Sequence, residues 1–349
     1  MANLIASLAH SWEPFVLVIG LLLIGNTAAH EGLFENVGRL CARTPGGSRS
    51  LFAVTMLAVA LVTATLNLDT AVVFMTPVAL HAARLRGVDE RPFLYGSILM
   101  VNSASLLLLG SNLTNMLVFA SHPVRGAVVA GHMALPWVAA VTLTTALVAL
   151  RYWRVFTSSP TRPEAENASW RVGPGVVASV FSVVAMLVLS HPALEILAMG
   201  LVVEAYELVV RRRVVWREVV AVASPRVVAP LFVLAVAVGW LGRVWHAPAQ
   251  WLVHAGALAT ALLAALASLV INNLPAASLF AAGHVSHPYA LLIGLDLGPN
   301  AFVTGAMSTL LWLRIARADD ASPTLREFSA LGLPVALVTI VAATLVSGV

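Results

Sequence analysis

Apolar runs recur along the whole chain, from residue 15 to residue 347. Several of them approach or exceed the ~18–20 residues that an α-helix needs to cross the hydrocarbon core of a bilayer. The runs of the first half cover 15–29, 51–66, 71–82, 93–109, 116–120 and 127–150. Those of the second half cover 176–190, 193–210, 227–241, 251–270, 289–295, 305–315 and 331–346. The pattern predicts an all-α, polytopic membrane protein.

Short polar segments interrupt four of these stretches, at 67–70, 110–115, 272–275 and 296–300. Irregular backbone at membrane depth is tolerated only where it is buried in protein or lines a cavity, because lipid cannot satisfy its polar groups. The interruptions therefore predict two helical hairpins and two broken helices that meet around a polar site.

The arginines indicate which loops face the cytoplasm. Most of them lie in the loops 31–50, 83–92, 151–172, 211–226 and 314–328. Cytoplasmic loops of membrane proteins carry an excess of basic residues. If 31–50 and 83–92 share a side, segment 51–82 enters and returns as a re-entrant hairpin that opens to the cytoplasm. By the same argument, 250–286 is a hairpin that opens to the outside.

The two halves then match in order but in opposite orientation, which predicts an inverted-topology repeat of the kind found in secondary transporters. Residues 1–150 form the first repeat, and 151–172 form a polar cytoplasmic linker. Residues 173–349 hold two extra spans (176–210) and the second repeat. The alternative is a bundle of ordinary spans with kinks.

Composition narrows the class of protein. Hydrophobic residues make up 60% of the 349 residues and charged residues 10%, against about 25% charged residues in soluble domains. All 20 basic residues are arginines, and most lie in short loops between apolar runs, so a nucleic-acid-binding face is not expected. The single cysteine, Cys41, lies in a predicted loop and excludes an intramolecular disulfide and a multi-cysteine metal site.

Known enzyme and targeting motifs are not found in the sequence. It contains no GxxxxGK[ST] phosphate-binding loop, no HExxH metalloprotease motif and no GxSxG nucleophile motif. A secondary transporter is therefore favoured over an enzyme. Residues 1–14 carry no positive charge, so we expect the first helix to be retained rather than cleaved as a signal peptide.

Polar residues in the interruptions are the candidates for solute and ion binding. A carboxylate at membrane depth costs roughly 2.5–3.5 kcal/mol, so Asp69 and Asp296 should face a cavity or a partner. Asp69 or Thr70 could instead cap the following half-helix. Amides and hydroxyls can bind an uncharged solute or hold helices together; these residues are Ser111, Asn112, Thr114, Asn115, Asn272 and Asn273. Glu204 and Glu207 are better explained by pairing with Arg211–Arg213.

Several segments resemble the ArsB-type arsenite efflux permeases. The similar segments are 31–35 (EGLFE), 69–77 (DTAVVFMTP), 102–106 (NSASL), 111–115 (SNLTN), 272–275 (NNLP), 296–299 (DLGP) and 308–313 (STLLWL). The resemblance covers roughly residues 17–346. It implies the fold of the ion transporter superfamily, which also contains citrate, dicarboxylate and sodium–proton carriers, and commonly a homodimer.

Three features depart from that family. Leu68 replaces the Asn that directly precedes the hairpin Asp, with Asn67 one position earlier, and Asn300 replaces a Lys. The first half also has no counterpart of the spans at 176–210, so two N-terminal helices are missing relative to the usual member. The resemblance adds Asn67, Asn102 and Asn300 to the candidate site.

The leading hypothesis from the sequence is proton-coupled efflux of arsenite or antimonite across the cytoplasmic membrane, in some relatives with a separate ATPase subunit. Asp69 would carry the proton or the solute, Asn112, Asn115, Asn272 and Asn273 would bind the solute, and Asp296 would shape the second broken helix. No arginine is predicted at membrane depth, which favours a neutral solute. The alternatives are citrate or dicarboxylate transport, sodium–proton exchange with sodium as coupling ion, and a non-transporting scaffold.

Overall fold

The structure is a computed structural model that describes residues 2–120, 124–157, 172–211 and 225–348. Every regular element in these ranges is helical. The predicted linker lies mostly outside the described residues. The helices of the first half are α1 (Ala2–His30), α2 (Leu33–Ala42), α3 (Ser48–Leu66), α4 (Leu68–Leu85), α5 (Arg91–Ala104), α6 (Leu113–Phe119) and α7 (Gly126–Arg151).

The second half opens with α8 and α9, the two extra spans of the sequence prediction. Its helices are α8 (Pro174–Val188), α9 (Ala193–Tyr206), α10 (Pro225–Val244), α11 (Ala247–Val253), α12 (Ala257–Ile271), α13 (Asn273–Phe280), α14 (Pro288–Leu297), α15 (Met307–Ala318) and α16 (Leu325–Val346). Short 3-10 turns occupy Leu109–Ser111, Gly298–Asn300 and Val303–Gly305.

Five described helices are long and apolar enough to cross a membrane, namely α1, α3, α4, α7 and α16. A sixth span results if the bent pair Val228–Val244 and Ala247–Val253, which meet at 71°, counts as one. Length and apolar character together make the chain an integral membrane protein.

Helices α3 and α4 form a helical hairpin that turns at Asn67. Its free ends meet, because the guanidinium of Arg86 after α4 donates to the carbonyls of Ala42 at 2.6 Å, Thr44 at 3.1 Å and Gly46 at 3.1 Å, just before α3. The predicted four-residue interruption at 67–70 is in fact a single non-helical residue, since α4 already begins at Leu68.

A second helical hairpin, α12 and α13, turns at Asn272. The hydroxyl of Ser286 beyond α13 donates to the carbonyl of Val253 just before α12 at 3.1 Å, so its ends also meet. The predicted continuous run 251–270 is wrong. The helix breaks at 254–256, where Gly256 takes an extended conformation (φ −67°, ψ 167°) and starts α12.

Two broken helices accompany the hairpins. The first runs from α5 through Leu109–Ser111 to α6, and the second runs from α14 through Gly298–Asn300 and Val303–Gly305 to α15. The residues that precede α6 and α15 have extended backbones, with φ −148° and ψ 141° at Asn112 and φ −145° and ψ 150° at Ala306. The predicted breaks at 110–115 and 296–300 thus correspond to real interruptions.

Two buried apolar clusters anchor these elements. One centres on α3, α4 and α5, and the other on α12, α13 and α14. Trp312 of α15 is fully buried in the first cluster, and its indole N–H donates to the carbonyl of Leu94 at 3.1 Å. This bond ties the second broken helix to the first.

Two expectations about single residues change. Cys41 lies in helix α2 and is buried, rather than in a loop. Glu204 accepts a hydrogen bond from the side-chain amide of Asn26 on α1 at 2.7 Å. Its observed partner is therefore an amide across a helix interface; Arg212 and Arg213 lie outside the described residues.

Candidate functional site

A cavity of about 460 Å³ lies where the two hairpin tips meet the breaks of the two broken helices. Its polar lining comes from all four of these interruptions: Asp69, Asn112, Thr114, Asn272, Asn273 and Ser308. Apolar walls come from α1 and α10, including Phe15, Val18 and Val228. The volume falls in the range of about 300–1,000 Å³ typical of small-molecule sites.

The first hairpin tip is shaped by Asn67. Its backbone has φ 106° and ψ 160°, a region that is costly for any residue with a side chain. Its side-chain oxygen accepts from the backbone N–H of Asp69 at 2.8 Å and of Thr70 at 3.0 Å. The prediction that Asp69 or Thr70 caps the half-helix is therefore wrong, because Asn67 supplies the cap.

This cap leaves the Asp69 carboxylate available to the cavity. Within the described part of the chain, the carboxylate takes part in no hydrogen bond and no ion pair. Thr70, one residue later, is fully buried instead and packs against Gly25 of α1. At this tip, the Asp69 carboxylate therefore faces the cavity, whereas the Thr70 side chain faces α1.

The second tip repeats this geometry with Asn272. Its backbone also has a positive φ, 75°, with ψ 152°. Its side-chain oxygen accepts from the N–H of Leu274 at 3.4 Å, and its amide donates to the carbonyl of Thr304 at 3.1 Å. Asn67 and Asn272 therefore serve first as caps of their half-helices, and Asn272 and Asn273 also line the cavity.

Asp296 lies behind the cavity wall, with 1% of its surface exposed. One carboxylate oxygen accepts from the amide of Asn112 at 2.9 Å and from the hydroxyl of Thr114 at 2.7 Å. Because these donors lie on the other broken helix, Asp296 joins the two breaks. Its second oxygen has no partner among the described residues.

A matching hydrogen bond also joins the two halves, but its donor lies on the second broken helix and its acceptor on the first. Asn102 precedes Asn112 by ten residues, as Asp296 precedes Ala306. Ser308, two residues after Ala306, donates to the side-chain oxygen of Asn102 at 3.3 Å, just as Thr114 donates to Asp296. The two breaks are therefore cross-linked by a pair of equivalent hydrogen bonds.

The remaining candidate residues hold the breaks in shape and do not line the cavity. Ser111 donates to the carbonyls of Ser105 and Leu108. Asn115 donates to the same two carbonyls at 2.8 and 3.1 Å. Asn102 donates to Asn300 at 3.0 Å. These side chains satisfy backbone groups that the interrupted helices leave free, which membrane depth requires.

Sequence reasoning missed two cavity residues on α15, Ser308 and Arg314. Met307, Leu310, Leu311 and Arg314 all line the cavity, with the i, i+3, i+4, i+7 spacing of one helical face. The expectation that no arginine reaches the site is therefore wrong. Arg314 lies within the predicted run 305–315, but its charge was taken as the start of the loop 314–328, whereas α15 continues to Ala318. The helical spacing within the predicted run was the signal available in the sequence.

The cavity combines opposite charges that are not paired with each other or with neighbours. Arg314 forms no ion pair in the described ranges, and neither does Asp69. Helix α4 begins at Leu68 and α15 at Met307, so their N-terminal ends, which carry partial positive charge, border the same space. The arrangement offers a cation for an anionic group and a carboxylate for a proton or metal ion.

Paired interruptions around a central polar cavity in an all-helical membrane protein are typical of transporters. The structure of the Alcanivorax borkumensis YdaH transporter, described as having an unusual topology, is similar to this chain with a TM-score of 0.61. The two share 15% sequence identity over 99% of this chain and 86% of the other, so the likeness concerns the fold.

The sequence itself matches the citrate transporter family (CitMHS) over residues 2–307. The chain belongs to this family, which consists of transporters rather than enzymes. The broader assignment to the ion transporter superfamily is thus confirmed, whereas the ArsB-type subfamily stays a prediction.

Proposed function

We propose that the protein is a proton-coupled carrier of a small polycarboxylate, with citrate as the first compound to test. The observation that carries the proposal is the pair of unpaired charges, Arg314 and Asp69, on one cavity. A guanidinium binds carboxylates through two parallel hydrogen bonds. An unpaired carboxylate at membrane depth is stable when it takes up a proton or a cation. The match to the citrate transporter family supports this solute class.

In this mechanism, Arg314 holds one carboxylate of the solute, and the free N–H groups at the start of α15 hold another. Asn112, Asn272 and Asn273 donate to the remaining oxygens. Asp69 carries the coupling proton. When Asp69 is protonated, the cavity is net positive and accepts the anion. When it is ionised, it repels the anion.

Arsenous acid is the second candidate solute. It is favoured by the neutral hydrogen-bonding groups of the lining, Asn112, Thr114, Asn272, Asn273 and Ser308, because arsenous acid is largely uncharged at neutral pH. A neutral solute has no need of Arg314, and this difference separates the two candidates.

The test is transport by purified protein in liposomes, with a pH gradient, using labelled citrate and arsenite in parallel. Gradient-driven citrate accumulation that an uncoupler abolishes supports the proposal. We expect Arg314→Gln to raise KM for citrate by about tenfold or more, the loss of one charge-assisted contact. Arg317→Gln on the same helix, which does not line the cavity, is the matched control.

Asp69→Asn separates binding from coupling. We expect the variant to exchange labelled for unlabelled solute but not to accumulate it against a gradient. Accumulation at the wild-type level would refute the role of Asp69. Movement of arsenite alone, unaffected by Arg314→Gln, would select the second candidate instead.

A further inference from the structure

A second, much smaller cavity lies at the other end of the helices that wall the central one. It has about 20 Å³ of free space, enough for roughly one water molecule. Its lining combines five polar residues with small or apolar ones; the polar residues are Ser7, His10, Ser11, Arg243 and Ser278. We refer to it as the polar cleft.

Four of the helices that line the central cavity, α1, α6, α10 and α13, also line the polar cleft, whereas α4 and α15 line the cavity alone. On α1, Phe15, Val18 and Leu22 line the cavity and Ser7, His10 and Ser11 the cleft. On α10, the corresponding sets are Val228 and Leu231, then Gly239 and Arg243.

Helices α6 and α13 repeat this order. Leu113 and Thr114 line the cavity, and Leu117 lines the cleft. Asn273 and Leu274 line the cavity, and Ser278 lines the cleft. On all four helices the cleft lies beyond the cavity in the same direction, so the two spaces share one axis.

An aromatic pair stands between the two spaces. Phe15 and Phe232 meet edge to face, with ring centroids 5.3 Å apart and an interplanar angle of 81°. Phe15 follows Ser11 by about 6 Å along α1, whereas about 12 Å of α10 separate the cavity residue Leu231 from the cleft residue Gly239. Phe15 and Phe232, which directly follows Leu231, therefore lie at the cavity end of the apolar segment that separates the two spaces.

The polar residues of the cleft face protein rather than lipid. Ser7 and Ser11 are buried, with 1% and 4% of their surfaces exposed, and the hydroxyl of Ser7 accepts from the guanidinium of Arg243 at 3.1 Å. Buried serines are common where membrane helices pack closely, but an ionisable side chain that faces the interior of an apolar bundle, such as Arg243, marks a solute or ion path.

The arginines at the helix ends indicate that the central cavity and the polar cleft lie towards opposite sides of the membrane. From the hairpin tip and the second break, the central cavity extends along α4 and α15 towards Arg84 and Arg317, the end predicted to be cytoplasmic. The cleft lies towards the N-terminus of α1 and the C-terminus of α10, at the opposite end.

We infer that the polar cleft is the closed outer mouth of the transport route and that Phe15 and Phe232 form its gate. The inference rests on the proposed transport function, since a gate requires a route. In this arrangement the central cavity faces the cytoplasm. In the alternate state the gate opens, the cleft widens, and Arg243 and His10 border the path by which an anion reaches the cavity from outside.

Cysteine accessibility tests this inference without any assumption about the solute. The starting point is the Cys41→Ser protein, which lacks cysteine. Ser11→Cys reports on the cleft and Val18→Cys on the cavity. Val180→Cys, exposed on the span α8 and lining neither space, is the lipid-facing control. Each is treated with a membrane-impermeant thiol reagent in intact cells and in inside-out vesicles.

We expect Ser11→Cys to react in intact cells and Val18→Cys to react faster in inside-out vesicles. Labelling of both from the same side would overturn the inference. So would labelling of Ser11→Cys no faster than that of Val180→Cys. These outcomes stand even if citrate is not transported, so failure of the inference and failure of the proposed function are distinguishable.

The gate itself is tested by Phe232→Ala. An edge-to-face aromatic contact can bias an open–closed equilibrium by about two- to tenfold. We therefore expect Val18→Cys to be labelled from outside about that much faster when combined with Phe232→Ala. Phe181→Ala, which removes an exposed ring on α8, is the control. An unchanged rate with Phe232→Ala, in protein that still labels normally from the cytoplasmic side, would show that the pair is not a gate.

Discussion

Replacement of Asp296 by alanine removes the acceptor of two buried hydrogen bonds at once. Asn112 at 2.9 Å and Thr114 at 2.7 Å both donate to the same carboxylate oxygen. Hydrogen bonds between helices in membrane proteins average about 0.6 kcal/mol and reach about 1.7 kcal/mol. The loss of both therefore predicts a destabilisation of about 1–3 kcal/mol. Because the donors and the acceptor belong to different halves of the chain, the damage should loosen the junction of the two breaks.

The assay is thermal unfolding of detergent-purified protein, followed by tryptophan fluorescence at one scan rate. At about 2–4 °C per kcal/mol, Asp296→Ala should lower Tm by about 5 °C. Asp89→Ala is the control, since it breaks a surface ion pair with Arg91 (2.6 Å), which contributes about 1 kcal/mol or less, and one hydrogen bond from the backbone N–H of Arg91 (2.9 Å).

A second substitution sharpens this prediction. In the Asp296→Ala background, the buried hydroxyl of Thr114 keeps only a long hydrogen bond to the side-chain oxygen of Asn115 at 3.4 Å, and poorly paired buried groups are costly. Adding Thr114→Val should therefore destabilise less than the same change does in the wild-type protein. If Asp296→Ala and Asp89→Ala have the same Tm, the hydrogen bonds to Asp296 do not stabilise the fold. The same follows if the effects of Asp296→Ala and Thr114→Val on stability are additive.

Three further predictions concern the backbone, the hairpin tip and a buried tyrosine. Gly332→Ala should disrupt folding, because its methyl group would lie 1.9 Å from the carbonyl oxygen of Asn300. Gly131→Ala is the control: no atom lies within 4 Å of the added methyl group, so this change should be neutral or stabilising. Expression level and Tm of the two variants test the prediction. Asn67→Ala should lower Tm by more than Asn67→Gly, since both lose a cap worth about 1 kcal/mol but only glycine tolerates the positive φ without strain; equal Tm values would contradict the strained tip. Tyr152→Phe should cost about 1 kcal/mol of unfolding free energy through loss of its 2.8 Å bond to Glu327, and a Glu327→Gln variant, which keeps an acceptor, should retain most of that stability.

Much of the fold could be predicted because its main determinants are local. The lengths of the apolar runs placed α1, α7 and α16, although α1 starts well before the predicted residue 15. The polar segments marked all four interruptions. The cap was assigned to the wrong residue because a carboxylate and an amide are both good caps. Only the backbone shows that the residue with positive φ is Asn67.

The site was harder to predict because residues of the same type have different roles in the structure. Asn112 and Asn115 lie three positions apart, yet Asn112 lines the cavity whereas Asn115 holds two backbone carbonyls. The side chain that reaches solute depends on the twist of the break, which sequence periodicity does not describe. Arg314 was missed for a related reason. Its charge was taken as the start of a cytoplasmic loop although it lies within the predicted run 305–315, so the helix face that carries the arginine was not considered.

Arg86 contributes at two stages, during insertion of the chain into the membrane and in the folded protein. As a positive charge in a short loop, it helps to set the orientation of the chain during insertion. In the folded protein its guanidinium is buried against the carbonyls of Ala42, Thr44 and Gly46. Lysine would preserve the first contribution but not the second, because one ammonium cannot reproduce the planar fork. An Arg86→Lys protein should thus enter the bilayer correctly and then fail to keep the first hairpin closed, which makes biogenesis and assembly separable at one side chain.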